Sequence, residues 1–335
     1  MNYIYSICIM DSNNFDYDFY LENYPDLRHL NKTDAYNHFI NHGIKEGRIC
    51  HREIINTETN ITIVIHLYHT HQFEKMTSYI ENVKKVFLNV TIIFTINEHS
   101  DFDTHITNKY PAAIIIKVEN KGVDIYPFLL SVRHLRTHNI NTDFILKLHT
   151  KESSNPTEGC VDWKDDLITP IVDYNNLTVL QHYFKKMENI GYVASQKCVL
   201  PKNYDLDCPA NIIGLNQLIE KFPHLEKNWT DFNGGNMFWI SNNVLTKYLT
   251  EILIDYLIEK FGQKPPCNLN NPDIYVEYLC ERLFTGVFCY NTQNILVNEY
   301  HGTQRGISAT NGQIDHIYFY QPKVFSISIP KNIIT

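Results

Sequence analysis

Positively charged side chains cluster around the end of one short apolar stretch of the sequence. Residues 144–148 read Phe-Ile-Leu-Lys-Leu, with Lys147 inside the stretch, and His149 and Lys151 come directly after it. A lysine ammonium attracts phosphate as a point charge and repels a divalent cation. A neighbouring histidine can donate a hydrogen bond to the same anion. Residues of these types at this spacing could bind an anionic ligand; the alternative is a surface lysine and a histidine at the edge of the core.

A strand, a helix and a second strand are expected to position these residues. An apolar strand over 113–118 stops shortly before Gly122, which supplies backbone freedom for the turn. Asp124 occupies the N-cap or first-turn position of a helix whose apolar residues continue to position 135. The chain returns as strand 144–148, so this stretch is a βαβ unit with parallel strands. Open α/β sheets bind ligands at the carboxyl ends of such strands.

A pair of adjacent glycines marks a second candidate region. Gly234 and Gly235 open an apolar, aromatic-rich strand, and Asp231 precedes them. Two glycines weaken a plain strand but permit a close approach of the backbone to a ligand. Phe238 and Trp239 follow and could stack on a ring. Because successive side chains of a strand alternate between faces, one of the two must point away and belong to the core.

Two carboxylates near one helix are candidates for a general base. Asp273 precedes a helix predicted over 274–284, and Glu281 falls two turns later beside Arg282. A carboxylate in such a position can deprotonate a hydroxyl group. Aspartate is also a common helix N-cap, and Glu281 with Arg282 is equally explained by a structural ion pair, so both alternatives stay open.

Three histidines near the first predicted strand invite a metal site. His69 and His71 could face the same side of an extended chain, close to His66. Catalytic zinc requires three protein ligands, and no third ligand is visible nearby in the sequence. Histidines that hydrogen-bond at a strand end or line a cleft are the favoured interpretation, and no metal site is predicted.

The remaining predicted elements alternate between strands and helices, which indicates a mostly parallel sheet covered on both faces. Strands are predicted over 61–67, 90–96 and 191–195, edge strands over 317–320 and 324–329, and a surface loop over 197–210. Helices are predicted over 73–86, 163–172, 177–187 and 244–261.

The first 53 residues are predicted to form a separate module. Apolar residues at helical spacing lie on either side of Pro25, which predicts two short amphipathic helices, and Glu53 begins a polar linker that ends at Asn60. The chain therefore divides into 1–53 and 54–335. The module shows no residues that indicate chemistry, and it is expected to be a capping or docking piece.

Composition argues against several classes of protein. The net charge of −8 with no basic run argues against a nucleic-acid binder. No stretch approaches the roughly twenty apolar residues of a transmembrane helix. The eight cysteines form no C-x-x-C pair, which suits reduced thiols in a cytoplasmic protein.

Two motifs together resemble a known family. The run E-N-K-G-V-D-I-Y-P-F-L at 119–129, followed by K-L-H-T-K-E-S at 147–153, is similar to the rhamnan synthesis protein F family of sugar transferases. More loosely it resembles the GT-A glycosyltransferase core, in which a strand ending E-N-x-G opens a helix and the next strand delivers a D-x-D metal motif. In this sequence His149-Thr150-Lys151 stands at the D-x-D position, which is cationic here rather than acidic. The similarity runs roughly from 61 to 288.

This resemblance implies a GT-A-like, Rossmann-like α/β domain with a small N-terminal helical appendage. It implies transfer of a hexose or deoxyhexose from a UDP-, GDP- or dTDP-sugar to a glycan or glycolipid, with no cofactor; a divalent metal is possible but not favoured. The implied base is Asp273 or, less favoured, Asp231 or Glu281. The residues implied to contact the nucleotide sugar are His66, Asn120, Gly122, Asp124, Lys147, His149, Lys151, Trp163, Gly234 and Gly235.

Two other functions stay open. The missing D-x-D suits a non-catalytic protein that binds carbohydrate or nucleotide sugar on a transferase fold, since fold alone does not prove activity. An interaction module that works through its N-terminal helices is the second alternative.

Overall fold

The structure is a computed structural model, and it falls into two compact units. One unit contains residues 1–56, 301–315 and 330–335, and the other contains 57–300 and 316–329. The residues that the structure describes are 15–43, 48, 50, 59–151, 163–187, 189–202, 209–261, 276–297, 319–320 and 324–327.

The larger unit is built on a nine-stranded, mostly parallel sheet. The described strands are β1 (Asn60–His66), β2 (Asn89–Asn97), β3 (Ile114–Val118), β4 (Phe144–His149), β5 (Ile190–Ser195), β6 (Val199–Pro201), β7 (Asp231–Asn233), β8 (Phe238–Ser241), β9 (Gln293–Val297), β10 (Phe319–Tyr320) and β11 (Val324–Ile327). Their order in the sheet is β10-β11-β9-β5-β8-β4-β1-β2-β3, and β6 and β7 form a separate two-stranded ribbon. Strand β8 runs antiparallel between β4 and β5. The predicted mostly parallel sheet is thus confirmed, with β8 reversed near its centre and β10 reversed at its edge.

Helices cover the sheet. The described helices are α1 (Tyr17–Asn23), α2 (Lys32–His38), α3 (Phe73–Val86), α4 (Asp103–Lys109), α5 (Ile125–Thr137), α6 (Trp163–Val172), α7 (Tyr174–Lys186), α8 (Pro209–Lys221), α9 (Asn242–Tyr248), α10 (Glu251–Phe261) and α11 (Val276–Arg282). Helix α3 matches its predicted bounds because Met76, Ile80 and Val83 repeat at helical spacing, and all three are buried. Burying each such side chain contributes roughly 1.5–3 kcal/mol.

The sheet separates two apolar cores because side chains alternate along its strands. Val64 of β1 lies in one core, and its neighbours Ile63 and Ile65 lie in the other. Phe238 and Trp239 divide in the same way, and both are fully buried. The expectation that one of these two aromatic rings faces a ligand is therefore wrong, because each ring fills one of the cores.

Three other predictions need correction. The helix predicted over 244–261 is two helices, since the chain breaks at Leu249-Thr250 and the Thr250 hydroxyl accepts a hydrogen bond from Leu253 N–H in the new first turn. The predicted surface loop 197–210 contains β6, which pairs with β7. Helix 274–284 continues from α11 into a wider π-helical turn over Leu283–Val287.

The smaller unit contains the two predicted short helices, α1 and α2, with Asp16 and Asn31 capping them. An apolar cluster joins the helices around the fully buried Tyr20, whose hydroxyl lies 3.0 Å from His38 Nδ1. Arg48 is buried and pairs with Asp26 through both guanidinium Nη atoms. Of the helices within the described ranges in either unit, none combines the length and apolar character needed to cross a bilayer.

Candidate functional site at the carboxyl ends of the strands

Polar side chains converge where the central parallel strands end. His66 of β1 lies in register with His149 of β4 and with Thr95 of β2. His66 Nδ1 lies 3.0 Å from the Thr95 hydroxyl oxygen. All three residues are buried. Parallel pairing therefore brings together two histidines that are 83 residues apart in the printed sequence.

A buried ion pair lies beside the two histidines. Lys147 Nζ of β4 donates a hydrogen bond to Asp124 Oδ2 at the start of α5, and the side chains are 1% and 10% exposed. Asp124 stands at the N-cap position of α5 as predicted, yet its carboxylate makes no capping hydrogen bond. The predicted cap is wrong in this respect because the carboxylate is used by Lys147.

Lys147 also joins two turns of unusual backbone conformation. Its Nζ donates a second hydrogen bond, 2.8 Å long, to the Asn236 carbonyl oxygen. In the first turn Gly122 and Val123 have φ of 62° and 49°, and in the second Gly235 and Asn236 have φ of 92° and 57°. A positive φ costs about 1–2 kcal/mol of conformational free energy for a residue with a side chain, and the cost is higher for a β-branched residue. Such conformations persist where the surrounding structure holds them, and here one lysine is bonded to both turns.

A glutamate also contacts the second turn. Glu281 Oε1 of α11 accepts a hydrogen bond from Gly235 N–H, with the nitrogen 2.5 Å away, and Glu281 Oε2 lies 3.7 Å from Arg282 Nη1. Burial raises the pKa of Glu281, while the Gly235 N–H opposes that change. The structure thus gives Glu281 a contact with the turn as well as the predicted ion pair with Arg282.

Burial and charge set the protonation of the ion pair. Burial acts to raise the pKa of Asp124, but the positive charge of Lys147, with that of the two histidines once acid protonates them, outweighs burial and holds the pKa at about 2. Burial lowers the pKa of Lys147, and the Asp124 carboxylate opposes that shift. The carboxylate is therefore ionised at neutral pH, and its ionised form is what the lysine stabilises.

Burial keeps both histidines neutral. It lowers the pKa of His66 to about 4 and the pKa of His149 to about 3. Asp124 raises both pKa values and Lys147 lowers them, so the charges of the ion pair largely offset each other. Neither ring carries a charge at neutral pH.

The segment that follows β4 is fixed to the segment that follows β1. Thr150 N–H donates to the His66 carbonyl oxygen, and the Thr150 hydroxyl oxygen accepts from His69 N–H at 2.9 Å. Gln72 Nε2 donates to the Lys151 carbonyl oxygen. A small cavity of about 10 Å³, enough for about one water molecule, opens here. It is lined by Gln72, Lys75, Met76, His149, Lys151, Ile168 and Met237.

The other candidates are more dispersed. Asn120 is exposed in the turn before α5. Gly234 packs against Leu200, so a Cβ at this position would lie 2.7 Å from the leucine side chain. Asp231 lies in the ribbon, where its carboxylate accepts from the Thr230 hydroxyl. Asp273 and the side chain of Trp163 lie outside the described residues, so their predicted roles stay predictions.

Sequence patterns missed several residues of the site. Asn236 contributes a backbone carbonyl, which no side-chain pattern reveals, although the adjacent glycines indicated an unusual turn. Thr95 lies in an apolar strand and carries no motif. Gln72 falls between the histidines and the predicted helix. Each is brought to the site by a contact with a residue distant in the sequence.

The described side chains at this edge do not suit a divalent cation. Mg²⁺ and similar ions prefer carboxylate, carbonyl and water oxygens. The buried carboxylate here, Asp124, is already bonded to Lys147, and the residues at the end of β4 are His149 and Lys151. Among the described residues, no group of three or more His, Cys, Asp or Glu could hold one ion.

A mostly parallel sheet with helices on its faces defines an α/β protein of the doubly wound class. The sequence comparisons are more specific. The model of the rhamnan synthesis protein F family matches residues 8–287, and the chain belongs to that family.

Individual similarities are weaker. Two curated proteins of Xanthomonas campestris pv. campestris, from strains B100 and ATCC 33913, are each named uncharacterized protein WxcX and are 26% identical over 121 residues. That match covers 36% of this chain and 17% of each relative. A mannosyltransferase from Pyrobaculum calidifontis, PcManGT, solved with GDP-Man and Mn²⁺, aligns with a TM-score of 0.32 and 8% identity over 57% of this chain and 47% of its own. A likeness at that level does not bear on the ligands of this chain.

Proposed function

We propose that this protein transfers a hexose or deoxyhexose from a nucleotide-sugar donor to a glycan or glycolipid acceptor. Membership of the rhamnan synthesis protein F family supports a glycosyltransferase-like function. The observation that carries the proposal is the Lys147 ion pair, which fixes two turns beside His66 and His149 where an α/β sheet binds ligands. A site built from bonded, buried groups is preorganised in the way that catalysis requires.

We assign Lys147 and Lys151 two different roles, supported by their contacts and burial. Lys147 is buried and bonded to Asp124 and Asn236, so we assign it to holding the site together. Lys151 is partly exposed and lines the cavity beside His149, so it is the lysine that would face the donor diphosphate. A charge-assisted hydrogen bond from Lys151 to phosphate would contribute about 1.5–3 kcal/mol.

Transfer is proposed to proceed without a divalent metal. The leaving diphosphate needs its negative charge stabilised, and a lysine does this as a point charge. The described residues at the end of β4 support this proposal, because His149 and Lys151 lie there and the nearby Asp124 carboxylate is bonded to Lys147. The UDP, GDP or dTDP identity of the donor and a cytoplasmic location stay predictions.

A panel of UDP-, GDP- and dTDP-sugars tests the proposal. Each donor is titrated into the wild-type protein with EDTA and with Mn²⁺, and binding and release of the nucleoside diphosphate are measured. Binding and turnover in EDTA are expected for one donor class. Lys151→Ala should weaken that binding by roughly 10- to 150-fold, while Lys185→Ala, a change at an exposed lysine of α7, should not.

The same panel tests the alternatives. Binding that appears only with Mn²⁺ would overturn the metal-free mechanism. Sugar or nucleotide binding without turnover would favour a non-catalytic binding protein, which the cationic sequence at the D-x-D position also suits. No binding to any donor would overturn the proposed function.

A further inference from the structure

The histidine at the end of β4 has one ring nitrogen that the described part of the chain leaves without a hydrogen bond. His149 is 6% exposed, and its Nδ1 is buried 3.6 Å from Asp124 Oδ2. That separation is longer than a hydrogen bond. A buried polar atom without a partner is uncommon in folded proteins. Its position beside a carboxylate therefore points to a functional arrangement.

The charge of Asp124 determines which nitrogen of His149 carries the proton. An Nδ1 lone pair would be repelled by the ionised carboxylate, whereas an Nδ1–H group is attracted to it. Burial keeps the ring neutral by lowering the pKa of His149 to about 3. A neutral ring with Nδ1–H carries its lone pair on Nε2. Nε2 is therefore an acceptor, which suits a hydroxyl group and repels a phosphate oxygen.

Groups from several elements act on this ring. Asp124 at the start of α5 favours its protonation, while Lys147 within β4, Lys151 after β4 and His66 on β1 oppose it. Lys75 of α3 lines the same small cavity and pairs with Asp165. Burial, together with the charges of Lys147 and Lys151, outweighs the effect of Asp124, so the ring stays unprotonated between turnovers.

We infer that Asp124 and His149 form a carboxylate–imidazole dyad in which His149 Nε2 removes the proton of the acceptor hydroxyl group. The inference rests on the proposed function and assigns His149 to the acceptor, in place of the phosphate contact that the sequence indicated. Asp124 acts as a positioning residue that orients the ring and stabilises the imidazolium, as the aspartate does in Ser-His-Asp triads. The long Nδ1 to Oδ2 separation is expected to shorten when ligands bind.

The chemical step is a direct displacement. The acceptor oxygen forms a bond to the anomeric carbon of the donor sugar, and the bond from that carbon to the phosphate oxygen breaks. The nucleoside diphosphate leaves with the electron pair of that bond, and the hydroxyl proton passes to Nε2 and later to water. Carboxylates with ordinary pKa values near 4 serve as bases in the related hydrolysis of glycosides, so a weakly basic imidazole is adequate.

Substitution of His149 tests the dyad. The glutamine of His149→Gln can still accept a hydrogen bond from a hydroxyl group but takes up no proton at neutral pH. It should lower kcat by about 10²- to 10⁴-fold and leave the KM for the donor nearly unchanged. His99→Gln changes a histidine whose side chain is 87% exposed and should have no effect. Asp273→Asn provides the comparison with the rival base.

Two further measurements probe the ring, and the first does not depend on the variant folding. The wild-type kcat/KM should stay flat as the pH falls from 7 to about 5, because the base is already unprotonated. Long-range ¹H–¹⁵N spectra of histidine-labelled wild type should show a neutral ring with Nδ1–H that is lost from the spectrum of His149→Gln.

Each outcome bears on the inference. Activity of His149→Gln within about threefold of wild type, an Nε2–H tautomer, or an acid limb near pH 6 or above would overturn the dyad and leave the proposed transfer intact. So would loss of kcat in Asp273→Asn with a normal rate in His149→Gln. No wild-type turnover with any donor would overturn both proposals.

Discussion

Each of the two units contains a buried ion pair, and the pairs differ in what they connect. Arg48 and Asp26 of the smaller unit lie 22 residues apart, form two hydrogen bonds, and leave the aspartate side chain 25% exposed. The Arg48 guanidinium also lies 4.6 Å from the centre of the Tyr24 ring. Lys147 and Asp124 of the larger unit are 1% and 10% exposed, and Lys147 reaches a second partner 89 residues away.

This difference follows from the chemistry of the two cations. The planar arginine fork suits a bidentate contact with one carboxylate and stacking on an aromatic ring. The lysine ammonium is a point charge with three donors, and it can bond to partners from different segments. The arginine pair therefore stabilises a local fold, whereas the lysine pair fixes the relative positions of two turns at the candidate site.

The largest expected effect comes from removing the lysine of the second pair. Lys147→Met leaves Asp124 buried without its cation and removes the bond to Asn236, which should cost about 3–5 kcal/mol of unfolding free energy. Denaturant unfolding measures the loss. Lys147→Met combined with Asp124→Leu should recover most of that stability and remain inactive. A double variant with normal turnover would show that this pair, like the arginine pair, only stabilises the fold.

Acidification should destabilise the larger unit through the groups around the lysine pair. The pKa values of His66 and His149 are lower in the fold, at about 4 and about 3, than the usual 6.5. Between pH 6.5 and about 4 the unfolded chain binds more protons, so stability falls with pH by up to about 1.4 kcal/mol per unit for each histidine. Asp124, with a pKa of about 2, adds a loss only below about pH 3.8.

Unfolding free energy measured across that pH range checks the expectation. His66→Gln should flatten the curve, and a wild-type curve that is level between pH 6.5 and 4 would contradict neutral burial of the histidines.

A smaller effect is expected at the arginine pair. Arg48→Met removes the bidentate contact and the stacking on Tyr24 but leaves Asp26 partly hydrated, so a loss of about 1–3 kcal/mol is expected. Amide hydrogen exchange of residues 15–43 should report the loss. Donor turnover should be unchanged, and an Arg48→Met protein with normal stability but impaired transfer would contradict the comparison.

The smallest effect is expected for Glu281→Gln. The amide oxygen of glutamine can still accept the Gly235 N–H bond that holds the second turn, so stability should change by less than about 1 kcal/mol. Turnover should stay within a few-fold of wild type. A fall of about a hundredfold or more in kcat, with the turn intact, would instead identify Glu281 as the base.

Local patterns predicted the elements better than the contacts between them. Helix α3 was recognisable from the helical spacing of its apolar residues, and strand β4 from its short apolar run. The carboxyl ends of β3 and β4 were predicted to form the ligand-binding edge because a βαβ unit must be parallel and right-handed. The structure places β1 and β2 between these two strands. The reversed direction of β8 was not predictable, since antiparallel pairing at the centre of such a sheet leaves no mark on an apolar run.

The sequence predicted which residues lie at the candidate site but not which of them are bonded to each other. Asp124 carries the signature of a helix cap, and only the fold shows that a lysine 23 residues later takes its carboxylate. Lys147 appeared to be one cation of an anion site, whereas its burial makes it part of the framework. The Asn236 carbonyl could not be anticipated because every residue has one.

The central place of β8 has a consequence for synthesis on the ribosome. Strands β1 to β4 are adjacent in the sheet and complete by residue 149, so a nascent chain can pair them early. Strand β8, which joins this half of the sheet to β5, comes about ninety residues later. The turn before it contains Asn236, whose carbonyl oxygen accepts the hydrogen bond from Lys147. Until then one edge of β4 is unpaired, and open edges attract other chains. Nascent chains in which β8 has not yet been synthesised should therefore depend on chaperones.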